Sequence, residues 1–184
     1  MKVLMLDAPQ AMLDERRQLG LDGRDEMWDG LLHLVPPPGD AHQELSLEFS
    51  YVVGPLAKRL GLVPRMETGL FRSDGDYRVP DQLYRRPEHG SERGAEGAEV
   101  VVEVRSEDDE TYRKLPFYAA LGVREVIVLH PQGRHVELFR SVDGALRPVS
   151  ADAEGGFVSD VLGIRLRTVD GALHVTWKDG SAEL

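Results

Sequence analysis

The chain has 184 residues, 41% of them hydrophobic and 29% charged, which is the balance of one globular domain and excludes a disordered tail. The absence of cysteine excludes disulfides, thiolate zinc sites and cysteine nucleophiles, so any metal ion must be held by oxygen or imidazole ligands, which favours hard divalent ions. The net charge of −10 opposes binding to a polyanion, except in a cleft where bound cations supply positive charge.

The N-terminal third is predicted to be mainly helical. Its first residues reach Asp7 too soon to form a secretory signal, and no apolar run approaches the ~20 residues of a membrane-spanning helix. We therefore expect a cytoplasmic protein without a membrane partner. The predicted elements, in chain order, are a short amphipathic helix (9–19), a strand or hairpin that turns at Asp29-Gly30 (26–34) and a long helix (40–60).

The rest of the chain changes to short β-like runs around one further helix. The predicted elements are strands at 63–70, 79–84 and 100–105, a helix at 109–121, a buried strand at 126–129, and tail strands at 136–139, 164–168 and 173–177. These elements predict a single α/β domain over 1–184, made of an N-terminal helical arm (1–25), an αβββαβ core (26–131) and a C-terminal β-rich extension (132–184).

Glu103 interrupts an otherwise apolar strand, Val100-Val101-Val102 and Val104. An unpaired carboxylate in a buried strand is costly, so Glu103 is expected to have a cationic partner. Because alternate residues of a strand share a face, Glu103 and Arg105 are expected to point the same way, and a structural salt bridge between them is one explanation. Binding of a metal ion is the other.

Asp81 and Lys114 are the candidates to complete such a metal site. Asp81 follows Pro80 and, judged alone, is typical of a turn. If the strands at 79–84 and 100–105 are neighbours, as consecutive strands usually are, the carboxylates of Asp81 and Glu103 can meet at one divalent ion. Lys114 lies early in the helix that follows Glu103, where it either faces solvent or leans over the two acids to stabilise charge on a phosphate.

Polar residues of the long helix have simpler interpretations. His42, near its start, is interpreted as a helix cap rather than a phosphate contact. Glu44 and Glu48 lie four residues apart and are interpreted as a solvated acidic face.

Ordered motifs along the chain resemble one known family. Those in the core are Pro80-Asp81, the run from Val101 to Ser106, and Lys114 followed by Tyr118-Ala119-Ala120-Leu121-Gly122-Val123. They resemble the Uma-type endonucleases of the PD-(D/E)XK superfamily. Trp28-Asp29-Gly30, Pro36-Pro37-Pro38 and His42-Gln43 are similar to the family's N-terminal block, so the resemblance covers residues 26–131.

The resemblance implies a restriction-endonuclease-like fold, with a mixed central sheet and extra C-terminal β-strands. It also implies that Asp81 and Glu103 bind Mg²⁺, which Mn²⁺ can replace, and that Lys114 is the superfamily's lysine moved from the strand to the helix. The chain departs from the wider superfamily at Arg105, which occupies the usual place of that lysine. Either Arg105 or Lys114 could therefore fill the cationic role.

These observations favour a metal-dependent endonuclease that hydrolyses DNA phosphodiester bonds. By analogy, it is expected to act as a homodimer that addresses both strands. The alternative is a catalytically inactive nuclease-fold binding or assembly module, which the acidic net charge and Pro116 within the predicted helix favour. A small-molecule hydrolase that uses the same two carboxylates is a third hypothesis, with no motif of its own.

Overall fold

The computed structural model describes residues 3–20, 22–106 and 110–184. The α-helices in these ranges are α1 (Gln10–Gln18), α2 (Asp40–Arg59) and α3 (Thr111–Ala120). The β-strands are β1 (Val3–Leu6), β2 (Glu26–Trp28), β3 (Leu31–Leu34), β4 (Val63–Met66), β5 (Leu70–Ser73), β6 (Asp76–Arg78), β7 (Gln82–Arg85), β8 (Gly90–Ser91), β9 (Gly94–Ala95), β10 (Val100–Val104), β11 (Glu125–His130), β12 (His135–Val142), β13 (Ala145–Pro148), β14 (Phe157–Ser159), β15 (Ile164–Val169), β16 (Ala172–Trp177) and β17 (Gly180–Glu183). Short 3-10 turns lie at Pro87–His89 and Gln132–Arg134.

The central sheet has the strand order β13-β12-β11-β10-β7-β4. Strands β10 and β11 are parallel and joined through α3, whereas β7 runs antiparallel to β10. Read along the chain, the sheet and its helices follow the order α2, β4, β7, β10, α3, β11. The predicted αβββαβ core, mixed sheet and extra C-terminal strands are therefore confirmed.

Alternation along β10 divides the core into two halves. Val100, Val102 and Val104 pack with α2 and with the C-terminal sheet β14-β15-β16-β17, in a cluster that includes Phe49 and Leu166. Val101 faces the other way, in a cluster that contains Phe117 and Tyr118 of α3. Glu103 shares the face of Val101, so its side chain is directed towards α3 as the alternation predicts.

A further sheet covers one end of this core, with the order β1-β3-β2-β6-β5-β9-β8. Residues 26–34, predicted to form a strand or a hairpin, form the hairpin of β2 and β3, and Asp29 and Gly30 both adopt the positive φ of its turn. After β5 and β6, the chain returns from this sheet to the central sheet through residues 79–81, between β6 and β7. Within the described ranges, no helix combines the length and apolarity that crossing a bilayer requires.

Several predicted boundaries were wrong. The predicted strand 63–70 divides, because Glu67 adopts a φ of +44° and ends β4 before β5 begins. Strands β1, β5, β6, β8, β9, β13, β14 and β17 were not predicted, and β1 makes the N-terminal arm partly β rather than purely helical. The predicted start of α3 at Asp109 lies outside the described residues.

Residues 79–81 were predicted to be part of a strand, but the strand begins only at Gln82. The ladder between β7 and β10 ends where Gln82 pairs with Val102. Pro80 has no N–H to extend that ladder, and the Asp81 carboxylate accepts the N–H of Val104 instead. Asp81 thus acts at the end of the ladder as a side-chain substitute for a backbone acceptor.

Candidate active site

A cavity of about 280 Å³ lies where the β2–β3 hairpin, residues 79–81, the end of β10 and the start of α3 meet. Asp81, Glu103 and Lys114 all line it, as do Glu26 of β2 and His42 of α2. Its remaining wall is largely apolar and includes Pro36, Pro37 and Pro38. The structure therefore brings three of the four residues expected at the site to one cavity.

Asp81 is buried, with 6% of its surface exposed. Its Oδ2 accepts the N–H of Val104 at 2.7 Å, which ties it to the residue that follows Glu103. Its Oδ1 lies 3.3 Å from Nε2 of His42 and 3.4 Å from Nη2 of Arg24. One carboxylate oxygen is thus fixed by the backbone, and the contacts of the other with described residues are longer ones to an imidazole and a guanidinium group.

Glu103 is buried against α3, with 4% of its surface exposed. Its Oε1 accepts the Tyr118 hydroxyl and lies 3.2 Å from Nζ of Lys114, while its Oε2 lies 3.4 Å from the same nitrogen. Burial raises the pKa of Glu103 to about 7, and Lys114 opposes that shift, whereas the charges of Asp81 and Glu26 add to it. Asp81 and Glu103 line the same cavity, and Asp81 accepts the N–H of the residue that follows Glu103.

Lys114 reaches the acids from the first turns of α3. Its Nζ lies 2.9 Å from Oε1 of Glu26 and 3.2 Å from Oε1 of Glu103. Burial favours the neutral amine, but the carboxylates of Glu103 and Glu26 outweigh it and raise the pKa of Lys114 above its ordinary value. Lys114 is therefore a protonated cation held between two acids, although Pro116 lies within the same helix.

A family model described as "Putative restriction endonuclease" (Uma2) matches residues 13–170, which is most of the chain. The chain belongs to the Uma2 family. The match extends beyond the 26–131 range of the sequence resemblance, into both the N-terminal arm and the C-terminal extension. A comparison with curated proteins finds no match.

The fold of this Uma2 protein is similar to that of a solved structure from Anabaena variabilis ATCC 29413, described as a putative nuclease belonging to DUF820. The TM-score is 0.63 at 15% sequence identity, over 82% of this chain and 89% of the other. At that identity the likeness concerns the fold, and it agrees with the restriction-endonuclease-like architecture expected from the sequence.

Arg105 lies just beyond β10 in this Uma2 protein. Its backbone N–H donates to the carbonyl of Leu129, and its guanidinium carbon lies 5.0 Å from the centre of the Tyr112 ring. The side chains that line the cavity, among the residues that the structure describes, include Lys114 and not Arg105. The geometry thus favours Lys114 for the cationic role.

Sequence reasoning missed three residues around the two acids. Glu26 was treated only as the start of a hairpin, Arg24 was not considered, and His42 was interpreted as a helix cap although its imidazole lies against Asp81. Glu26 could have been singled out from the sequence, because it is a carboxylate in a strand that also contains Trp28. The sequence offered no comparable signal for Arg24.

Glu44 and Glu48 lie outside the cavity lining among the described residues. Both carboxylates approach Nη2 of Arg134, at 3.1 and 3.4 Å. They thus form an ion-pair group on α2 instead of purely solvated charges, and they do not join Asp81 and Glu103.

The donor set of the cavity fits a hard divalent ion. Among the described residues, no three acidic or imidazole side chains are arranged to enclose an ion. Mg²⁺ does not require such a cage, since it commonly binds one or two carboxylates and keeps several waters. Asp81 Oδ1 and Glu103 Oε2 are the oxygens suited to hold it, because their contacts are the longest in the cluster.

Proposed function

We propose that the protein is a metal-dependent endonuclease that hydrolyses DNA phosphodiester bonds. The single observation that carries the proposal is the meeting of Asp81, Glu103 and Lys114 at one cavity of a chain that belongs to the Uma2 family. The family description, which names a restriction endonuclease, supports DNA as the substrate. The cytoplasmic location expected from the sequence stays a prediction.

Asp81 and Glu103 are the proposed ligands of Mg²⁺, with Mn²⁺ as a substitute. A divalent ion held by these two carboxylates would polarise a phosphoryl group and lower the pKa of a water molecule. The backbone N–H of Val104 fixes the orientation of Asp81, and the Tyr118 hydroxyl fixes that of Glu103. Both acids are therefore oriented before substrate arrives, which reduces the reorganisation needed for reaction.

Lys114 is the proposed electrostatic stabiliser. Its ammonium group is kept protonated by two carboxylates and lies within 3.2 Å of Glu103, so it can place positive charge beside a phosphate that enters the cavity. In a site shielded from water, such a fixed charge stabilises a developing oxyanion more strongly than it would in bulk solvent.

The first prediction concerns cleavage of supercoiled plasmid by the purified protein. With Mg²⁺ or Mn²⁺ we expect nicking and linearisation, and with EDTA we expect neither. Asp81→Ala, Glu103→Gln and Lys114→Met should each lower the rate by roughly 10²-fold or more, because each removes a metal ligand or a preorganised charge.

Glu99→Gln is the matched control for this experiment. Glu99 is also a buried acid next to β10, but it pairs with Arg86 and Arg124 and not with the cavity cluster. This variant should cleave at the parent rate. Equal cleavage by all variants would trace the activity to a contaminant and reject the proposal.

The alternative of an inactive binding or assembly module has one structural observation in its favour. Each of the two proposed metal ligands already has a cationic neighbour, Arg24 at Asp81 and Lys114 at Glu103. Under this hypothesis the ion pairs are permanent, and calorimetric titration with Mn²⁺ shows no binding to the parent. Under the nuclease hypothesis it shows a site that Asp81→Ala and Glu103→Gln both weaken.

A further inference from the structure

Glu26 is a buried acid in the cavity that no core motif includes. Only 2% of its surface is exposed, and it belongs to the N-terminal hairpin rather than to the central sheet. A carboxylate removed from water in this way is costly unless every oxygen is satisfied. The hydrogen-bond and ion-pair partners of the Glu26 carboxylate therefore indicate its role in the cavity.

Neutral donors hold both oxygens of Glu26. Oε1 accepts the backbone N–H of Val79 at 2.9 Å, and Oε2 accepts the indole N–H of Trp28 at 2.8 Å. The indole ring is itself held by two neighbours. The His33 ring stacks on it with 4.3 Å between the ring centres, and the guanidinium carbon of Arg78 lies 4.2 Å from the centre of the indole. The carboxylate of Glu26 is thus fixed in place independently of Lys114.

Lys114 is shared unequally between Glu26 and Glu103. Its Nζ lies 2.9 Å from Glu26 and 3.2 Å from the nearer oxygen of Glu103. With Glu103 as its only counter-charge, the ammonium group would compete with a divalent ion for the same oxygens. With Glu26 as a second carboxylate, the positive charge of Lys114 keeps a negative partner while Glu103 binds an ion.

We propose that Glu26, oriented by Trp28, is a positioning residue that holds Lys114 beside the metal site and leaves Glu103 available to the ion. The inference rests on the proposed function for its catalytic consequence. Its structural part, the hold of Glu26 on Lys114, can be measured in a protein without metal or substrate.

Amine labelling of the metal-free protein tests that structural part. The rate of acetylation at Lys114, followed by mass spectrometry, is compared with the rates at the exposed residues Lys58 and Lys178. In Glu26→Gln we expect a several-fold rise at Lys114 alone, because a buried ion pair has been lost. Glu99→Gln should leave all three rates unchanged.

Trp28→Phe provides a second variant in case Glu26→Gln does not fold. It keeps an aromatic ring between His33 and Arg78 but removes the N–H that orients Glu26. We expect a smaller rise at Lys114 in the same direction. An unchanged rate at Lys114 in the folded variants overturns the inference.

Kinetics of plasmid cleavage test the catalytic part. Glu26→Gln should lower kcat by up to about 10²-fold with KM within a few-fold of the parent, since a displaced cation affects the transition state more than substrate binding. In a Lys114→Ala background the same substitution should have almost no further effect, because Glu26 acts through Lys114.

Two outcomes overturn the inference. One is a full additional loss of activity from Glu26→Gln in the Lys114→Ala background. The other is a loss of Mn²⁺ binding in Glu26→Gln as large as in Glu103→Gln, which would make Glu26 a ligand itself. A parent without nuclease activity would reject the proposed function, whereas the labelling result would still decide whether Glu26 holds Lys114.

Discussion

At the scale of single residues, Glu103 stands out because its surroundings act on its charge in opposite directions. Burial favours the protonated acid, as do the neighbouring charges of Asp81 and Glu26, whereas Lys114 and the Tyr118 hydroxyl favour the carboxylate. Burial dominates and places the pKa of Glu103 at about 7. Near neutral pH, Glu103 of the metal-free protein is therefore close to the midpoint of its titration, and the proposed binding of a divalent ion would favour the ionised form.

The raised pKa predicts how the stability of the metal-free protein depends on pH. The folded state holds the proton of Glu103 more tightly than the unfolded state does. The contribution of this proton to the free energy of unfolding is therefore fully present below the ordinary glutamate pKa. That contribution is lost as the pH rises to about 7, where the folded-state pKa lies.

Glu103→Gln cannot lose a proton, so its stability should fall less over this interval. Denaturant unfolding in EDTA at pH 5 and pH 7.5 measures this difference. Between the two pH values, the free energy of unfolding should fall by about 1–3 kcal/mol less in the variant than in the parent. Glu99→Gln serves as the control, because it replaces a buried acid that lies next to β10. Parallel pH profiles for the parent and the Glu103→Gln variant would contradict the raised pKa.

At the scale of elements, the C-terminal sheet is attached to the central sheet by polar contacts as well as by the apolar core. Glu125, at the start of β11, is fully buried and accepts hydrogen bonds from the Ser159 hydroxyl and from the N–H of Asp160. Nε of Arg140 donates to it at 3.0 Å. A single carboxylate thus connects the end of β14 to strands β11 and β12.

Loss of this connection should destabilise the fold without affecting the cavity. We expect Glu125→Ala to lower the free energy of unfolding by about 2–4 kcal/mol, because Ser159 and Arg140 lose a buried partner. The measurement is denaturant unfolding. Glu154→Ala, which removes an exposed acid paired with Arg165, should change it by less than about 0.5 kcal/mol. A Glu125→Ala variant no less stable than this control would contradict the role of Glu125.

At the scale of the whole molecule, the negative net charge bears on binding to DNA, and exposed apolar residues bear on pairing with another chain. A net charge of −10 provides no general attraction to DNA. The proposed nuclease activity therefore requires local positive charge, which Lys114 and the proposed divalent ions would supply. The sheet that contains the hairpin ends at β1, where 51% of Leu4 and 72% of Leu6 are exposed. An edge strand with exposed leucines is suited to pair with another chain.

We therefore propose that β1 contributes to the homodimer expected by analogy. Sedimentation equilibrium should give a mass of twice 20.5 kDa for the parent. Leu6→Asp should shift the population towards the monomer, because it places a charge in the paired edge. Leu60→Asp, at another exposed leucine, which follows α2 outside the sheets, should leave the dimer intact. A monomeric parent at tens of micromolar would reject the proposal.

Local sequence patterns were sufficient for the αβββαβ core. Helix α2 follows from its apolar periodicity, and β10 from a run of valines, and both match the structure to within a residue or two. The anomaly of Glu103 was also visible, since a carboxylate inside an apolar strand is conspicuous without any knowledge of its neighbours. Such features depend on contacts between residues close in sequence.

Short strands were less predictable. Strands such as β5 and β6 contain few residues and little apolar alternation, so their pairing depends on partners that the local pattern does not identify. The same limit explains the wrong assignment of residues 79–81. Whether that stretch continues a strand depends on Val104, whose N–H donates to the Asp81 carboxylate.

The sequence by itself determined the order of the core elements, the carboxylates of Asp81 and Glu103, and the candidacy of Lys114 and Arg105. Only the tertiary structure placed Lys114 rather than Arg105 in the lining of the cavity, as far as the described residues show. It alone also brought Glu26 to Lys114, and Arg24 to Asp81, a residue 57 positions away. The physical reason is that periodicity and turn chemistry act over a few residues, whereas the partners of a buried charge are selected by packing between distant segments of the chain.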